Sequence, residues 1–393
     1  MVSVEQALDL VQQKVKVLGN ETLPIAQCLG RVLAMDVFSK IDIPSFPQSA
    51  MDGYAVNALG DIEIGDSFTL IGEVQAGDTQ EVEIIPGQAV RIFTGAAVPK
   101  DATTVVIQEV VTRMEGQITV NKTVMDGANI REQGEQIMSG DTGLQEGTIV
   151  TPSGIGFLAM MGYAQMKVIK KPVIHLVVTG NELVAPGELL KYGEIYESNS
   201  VTLASALAQY GFPVTKIHFI KDTYKATLDG LQVALNESDV VITSGGISVG
   251  DYDFVGRAFR DLEVDEHFYK VKQKPGKPLF FATKKETVIF ALPGNPASAL
   301  TSLYYYILPA LNQMSGKGFE GLKLSQLPLI GGYSKKGDRA QFLKGFLTKE
   351  GVEILEGQSS AMMHTYAITN ALIYLPEDTS EVSEMERVTV LTL

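Results

Sequence analysis

The sequence predicts a multidomain α/β plus β protein, with a doubly wound α/β domain, an inserted β domain and a small C-terminal β-barrel. Three observations carry this. Residues 171 to about 315 alternate strand-like and helix-like runs, the pattern of a parallel sheet covered by helices on both faces. Residues 45–146 are short alternating segments broken by turn residues, and residues 317–393 return to short strands.

In chain order, "MVSVEQALDLVQQKVKVL" spaces its apolar residues as a helix, and "TLPIAQCLGRVLAMDVFS" is an apolar strand-like run. Next, "SFTLIGEVQAG", "EVEIIPGQAVRIF" and "GQITVNKTV" supply the strands of the β insertion. "TPSGIGFLAMMGYAQMKVIKKP" reads as a capped helix from Pro152 and a basic linker ending at Pro172. That helix is expected to return beside the N-terminal one, so residues 1–44 and 147–170 form one helical and linker domain interrupted by residues 45–146. In the α/β domain, 171–316, "PVIHLVVTG", "PVTKIHFI" and "DVVITSGG" are strands, whereas "SVTLASALAQYG", "YKATLDGLQVALNES" and "DFVGRAFRDL" are helices. The tail segments "KLSQLPLIGG", "AQFLKGFLTKEGVEILEG", "ALIYLPE" and "ERVTVLTL" read as a small barrel, with a sandwich as the other arrangement the pattern permits.

At 393 residues, with 20% charged and 45% hydrophobic residues, the chain is long enough for several cores and has no biased tract. Its N-terminus lacks the basic start and apolar block of a signal peptide, and no segment spans a membrane, which points to the cytoplasm. Cys28 is the single cysteine, so an internal disulfide and a multi-cysteine zinc site are excluded, and its apolar setting makes it a buried filler. A net charge of −14 disfavours nucleic acid and anionic membranes as partners. Local charge differs. "KVKQKPGK" holds Lys270, Lys272, Lys274 and Lys277 without an acid, and Pro275-Gly276 and Pro278 break the run into a turn that presents lysines to an anion. Lys270 and Lys272 are expected on the preceding strand, facing solvent.

Ligands of a doubly wound sheet bind at the carboxyl ends of its strands. Two segments sit there, Thr179-Gly180-Asn181-Glu182 and the opening "ITSGGISVGDYD". Backbone N–H groups around such glycines suit phosphate, and Glu182, Asp251 and Asp253 suit a divalent cation that bridges phosphates. Glu182 taken alone reads equally as a helix-start carboxylate. A third segment, "FALPGNPASAL", runs from strand through Pro293-Gly294-Asn295 into a helix whose N–H groups at Ala297 and Ser298 are expected free for an oxyanion. No Ser-His-Asp order exists, and His175, His218, His267 and His364 stand in unrelated contexts. Spacing therefore reaches a phosphorylated ligand with Mg²⁺ and no further.

The ordered set "SAMDGYAV", "RIFTGAAVP", "NIREQGE", "VVTGNEL", "SGGISVGDYD", "KPGKP" and "LPGNPASAL" resembles the molybdopterin molybdenumtransferases, the MoeA family that includes the E domain of gephyrin, over nearly the whole chain. The resemblance implies insertion of molybdenum from molybdate into adenylylated molybdopterin (molybdopterin-AMP), with release of AMP and a requirement for Mg²⁺. It also implies an elongated homodimer with an intersubunit active site. By family position, Asp52 and Thr94 of the β insertion face the α/β domain of the other subunit, where Glu182, Asp253, Lys274 and Lys277 act. Ser244, Gly245, Gly246, Ser248, Gly250, Pro293, Gly294 and Asn295 accommodate the pterin nucleotide. Ser298 and Arg339, with Ser359 or Ser360, take molybdate, and Glu182, Asp222 and Asp253 hold the metal. Related readings are adenylylation of molybdopterin, performed by smaller proteins that share the α/β domain and hand over their product, and scaffolding as in gephyrin. Three positions depart from the family pattern: Gln136 where Gly-Glu-Asp is frequent, Lys344 in place of an arginine, and His364 with Thr365 near expected serines.

Overall fold

The computed structural model describes residues 1–247 and 254–393. The chain divides into two compact units, Met1–Glu21 with Ile169–Leu393, and Thr22–Val168. Ser248, Gly250, Asp251 and Asp253 lie outside the described residues.

In the first unit a six-stranded sheet runs in the order Lys216–Ile220, Ile174–Thr179, Val240–Ser244, Thr287–Leu292, Pro278–Lys284, Asp265–Lys270. The first four strands are parallel, and the last two pair antiparallel. Their inward residues alternate faces, as the period-2 geometry of a strand requires. Val240, Ile242 and Phe290 join the core that receives Asn199–Gln209, while Val241, Ile289 and Ala291 join the core that receives Tyr224–Glu237 and Phe254–Asp261. The doubly wound α/β expectation holds, with an antiparallel edge that the helix–strand alternation did not announce.

The N-terminal helix Val4–Lys14 starts at a Ser3–Gln6 capping box. Its buried Val4, Ala7 and Val11 belong to the core of this first unit. The helix Pro152–Met160, capped by Thr151, instead packs Leu158 in the second unit's core with Cys28 and Leu33. The sequence pattern places it beside the N-terminal helix, but its apolar face serves a different core. Cys28 is a buried filler.

After the α/β domain, Ala340–Leu347, Val352–Ile354, Leu324–Ile330, Arg387–Thr392 and Ala371–Leu375 pair in a ring that closes when the last strand pairs with the first. This is a small five-stranded barrel, and closure leaves those strands no open edge within the ring. Gln273–Lys274 adds to it, parallel to Ala340–Leu347. In the second unit, a six-stranded sheet runs Thr104–Ile107, Gly53–Val56, Gln88–Ile92, Ser67–Val74, Gln117–Val120, Val111–Met114. Among the described residues, no helix is long and apolar enough to cross a membrane.

Two histidines meet on adjacent strands. His218 Nε2 lies 3.1 Å from His175 Nδ1, and burial, mutual repulsion at His175 and the nearby Lys216 hold both imidazoles below the ordinary range, against an opposing pull from Glu237. Unfolding lets both rings take up protons that the folded state refuses, so stability must fall as pH drops through about 6.5. His218→Asn is expected to flatten the fall of Tm between about pH 7 and pH 5, and an unchanged slope would remove the pair from the acid response.

Candidate active site

A cavity of about 570 Å³ opens at the carboxyl ends of the central strands of the first unit. The register Val178↔Ser244↔Leu292 ends three neighbouring strands at one level, so the loops after them converge. Thr179 ends one strand and Glu182 follows it, Ser244 ends the next and Gly245 and Gly246 follow, Pro293, Gly294 and Asn295 follow the third, and all line the cavity. Asp222, after the strand Lys216–Ile220, lines it too.

The Gly-Gly turn has a packing cause. A Cβ on Gly245 would stand 2.7 Å from the Thr179 carbonyl oxygen, and one on Gly246 would stand 2.6 Å from Val255 Cγ2 and 2.8 Å from Thr179 Oγ1. Both residues also have positive φ, +89° and +66°, which glycine adopts without strain. The turn therefore closes onto Thr179 and leaves its backbone at the cavity wall.

Three side-chain atoms on this wall are buried without a hydrogen-bond partner among the described residues: Thr179 Oγ1, Asn199 Oδ1 and Asp222 Oδ1. Buried polar atoms are normally paired, so three unpaired ones on residues lining one cavity leave its wall with unmet hydrogen-bonding capacity. Asn199 is not among the residues the sequence singles out. Its Nδ2 donates to Ser244 Oγ at 2.7 Å and to the Gly294 carbonyl at 2.8 Å, which ties two site loops together and fixes its oxygen as the free acceptor. The signal present was "ESNS" ahead of an apolar run, legible only as a helix start. Beside it Glu197 accepts from the Ser200 N–H at 2.8 Å.

Asp222 and Glu182 bring two carboxylates to the same cavity. Burial, and then the charge of Glu182, push the Asp222 carboxyl above its ordinary value. Among the described residues no group of three His, Cys, Asp or Glu side chains is placed to hold a metal. Asp253, the third residue assigned by resemblance, lies outside them.

Lys274 and Lys277 are exposed on the turn that leads into the cavity through Pro278. Arg339 is brought to the same turn, where its Nη1 donates to the Gln273 carbonyl at 3.3 Å. Lys272 departs from the expected solvent face. Its ammonium pairs with Glu377 at 3.1 Å and Asp338 at 3.3 Å, acids of the barrel domain that are remote in sequence.

The oxyanion expectation at the third segment fails. The Ala297 N–H donates to the Ser360 carbonyl at 3.2 Å and the Ser298 N–H to the Asn295 carbonyl at 3.1 Å, so neither is free. Ser298 itself is buried in the helix Pro296–Ser302. Ser360 belongs to a loop held by Lys344, whose buried Nζ donates to the carbonyls of Gly357 at 2.6 Å, Ser359 at 3.1 Å and Met362 at 3.1 Å. Thr365 anchors the same loop through the Glu356 carbonyl at 3.0 Å. Two of the departures from the family pattern therefore secure one wall of the site, which Ala361 reaches. Lys344→Met should strand three carbonyls and cost about 1–3 kcal/mol in urea unfolding, with Lys344→Arg closer to the parent. A Met variant as stable as the parent would contradict the clamp.

In the second unit Asp52 and Thr94 meet, a contact the motifs did not specify. The Thr94 N–H and hydroxyl each donate to Asp52 Oδ1 at 2.8 Å, and these two bonds hold the exposed carboxyl below its ordinary range.

Matches to known proteins span the chain. Residues 2–162 match the MoeA N-terminal region (domain I and II), residues 175–313 a probable molybdopterin binding domain, and residues 326–393 the MoeA C-terminal region (domain IV). The chain is 31% identical over 388 residues to a molybdopterin molybdenumtransferase of Staphylococcus epidermidis, covering 96% of this chain and 92% of that one. With the molybdopterin molybdenumtransferase of Haemophilus influenzae it shares 32% identity over 384 residues, covering 94% and 93% of the two chains. A crystal structure of a molybdopterin biosynthesis MoeA protein from Pyrococcus horikoshii OT3 superposes with a TM-score of 0.82 at 27% identity, covering 100% of both chains.

Proposed function

Because the chain belongs to the molybdopterin molybdenumtransferase family, we propose that this transferase of molybdenum-cofactor biosynthesis inserts molybdenum from molybdate into adenylylated molybdopterin and releases AMP. The observation that carries the reading is the cavity whose wall holds three unpartnered polar atoms, Thr179 Oγ1, Asn199 Oδ1 and Asp222 Oδ1, next to the Lys274–Lys277 turn. The wall accepts hydrogen bonds from the heterocyclic and sugar parts of the substrate, and the lysines face its phosphates. Ser244, Gly245, Gly246, Pro293, Gly294 and Asn295 shape the pocket, with Ser248 and Gly250 assigned by family position. Arg339, beside the turn, holds molybdate, while Ser298 acts through the helix beneath it. Cleavage of the phosphoanhydride and transfer of molybdenum to the dithiolene sulfurs draw on positioning and charge, and no protein nucleophile is needed.

The Asp222 carboxylate, whose Oδ1 has no partner among the described residues, and the Glu182 carboxylate on the same cavity fit a divalent cation, with Asp253 as the family's third residue. Mg²⁺ bound there supplies neutralisation of substrate phosphate charge. Asp222→Asn should raise Tm in EDTA, because it removes a carboxylate charge that its own burial and the nearby Glu182 disfavour, and should lose most of the Tm gain that Mg²⁺ gives the parent. Equal Mg²⁺ stabilisation of both proteins would exclude Asp222 from the metal.

Asp52 and Thr94 are proposed to act on the α/β domain of a second copy, in a homodimer that receives its substrate from a molybdopterin adenylyltransferase. Mixing Asp52→Ala with Glu182→Ala chains should then restore roughly a quarter to a half of the parent AMP release, since mixed dimers rebuild one intact site. Mixed dimers that form but stay inactive would contradict the shared site. The activity itself is tested by incubating the purified protein with adenylylated molybdopterin, molybdate and Mg²⁺. Molybdate-dependent AMP release is expected, and substrate that persists unchanged would overturn the reading.

A further inference from the structure

We propose that Gln273 and Tyr306 are positioning residues that set the lysine turn for its anionic ligand. The inference rests on the reading that Lys274 and Lys277 bind substrate phosphates. Gln273 stands in the middle of the lysine-rich run, yet it is completely buried. Its side-chain Nε2 donates forward to the carbonyls of Pro275 at 3.1 Å and Gly276 at 3.3 Å, the two residues between the lysines. Its Oε1 accepts from the Tyr306 hydroxyl at 2.5 Å. Each polar atom of the amide is thus committed, and the amide orientation is fixed because only Nε2 can serve the carbonyls.

Tyr306 is itself fully buried, on the π-helical turn Leu303–Ile307 that interrupts the long helical run after the third site loop. Turns of this kind rotate side chains out of the α-helical register and recur at functional sites. Here the hydroxyl reaches across the core to the amide. The turn is also closed from below. Gly276 has φ +80°, and a Cβ there would stand 3.1 Å from Gln273 Nε2, 3.3 Å from Ser302 Oγ and 3.6 Å from the Ser298 carbonyl. From the flank, Arg339 holds the Gln273 carbonyl, and Gln273–Lys274 pairs with the barrel strand. The Val271 N–H donates to the Lys277 carbonyl at 3.0 Å and closes the loop at its base.

The two lysines are long and exposed, so their own contacts do not place them. What places them is the backbone between them, and the side chain that holds the two carbonyls of that backbone is the Gln273 amide. Removing the Tyr306 hydroxyl leaves Oε1 buried without a donor, so the amide keeps its bonds to the Pro275 and Gly276 carbonyls but loses the anchor that ties them to the core.

The test is a double-mutant cycle on the full-length protein, reading the Kd of adenylylated molybdopterin and its dependence on salt, with Tm to establish folding. Lys277→Ala should weaken binding roughly tenfold and flatten the salt dependence. Tyr306→Phe and Gln273→Met should each weaken binding by about three- to tenfold with the same flattening, and should add nothing in a Lys274→Ala/Lys277→Ala background. If Gln273→Met does not fold, Tyr306→Phe, which removes one oxygen and keeps the ring, decides alone. Lys277→Ala that binds like the parent overturns the lysine assignment, and this inference with it. Weakened binding by Lys277→Ala with parental binding by Tyr306→Phe overturns the positioning role alone. A Tyr306→Phe effect of equal size with and without the lysines overturns it as well, because the damage is then general.

Discussion

The site depends on one close approach, that of the strand end at Thr179 to the Gly245–Gly246 turn. Neither glycine has room for a Cβ, since the Thr179 carbonyl, its hydroxyl and Val255 fill the space. This contact lets two adjacent parallel strands finish at the same level and turn away in different directions, which opens the cavity between their loops. It also buries Thr179 Oγ1 at the wall without a partner. A β-carbon on either glycine would push the turn off the strand and remove the crevice.

Around that contact the remaining site elements are hung from the core and from the barrel domain by polar ties. Asn199 joins the second and third site loops through Ser244 and Gly294. Lys344, a buried ammonium that burial holds below its ordinary value, gathers three carbonyls of the loop that also caps Ala297. Lys272 bridges to Asp338 and Glu377. A buried cation satisfied only by carbonyls keeps its charge uncompensated among the described residues, and such a charge favours anions nearby. The acceptor-rich wall and the basic turn therefore offer two unlike surfaces to one ligand, as a nucleotide with donor-bearing rings and anionic phosphates requires.

The strand Val240–Ser244, whose residues alternate between two cores, was readable because strand patterns are local, and the N-terminal helix and the capped helix from Pro152 were readable for the same reason. Asp52 and Thr94 were singled out through their two motifs, but their pairing was not, since the partners lie at the ends of different strands. Most of what escaped depended on partners far away in sequence. The N–H groups of Ala297 and Ser298 looked free until Ser360 and Asn295 supplied their acceptors, and Lys272 looked solvated until the barrel acids met it. The antiparallel edge strands were hidden because their order is set by pairing with Thr287–Leu292. Gln273 was hidden by its neighbours, since a polar residue among lysines gives no hint of complete burial.

The central claim is that the cavity wall and the lysine turn bind the two ends of one anionic nucleotide. A crystal structure of the protein with adenylylated molybdopterin tests it most directly. The account predicts ligand in the cavity at the carboxyl ends of the strands, with donors on Thr179 Oγ1 and Asn199 Oδ1 and phosphate oxygens within reach of Lys274 and Lys277. Ligand bound elsewhere, with those two oxygens still unpartnered, would contradict it.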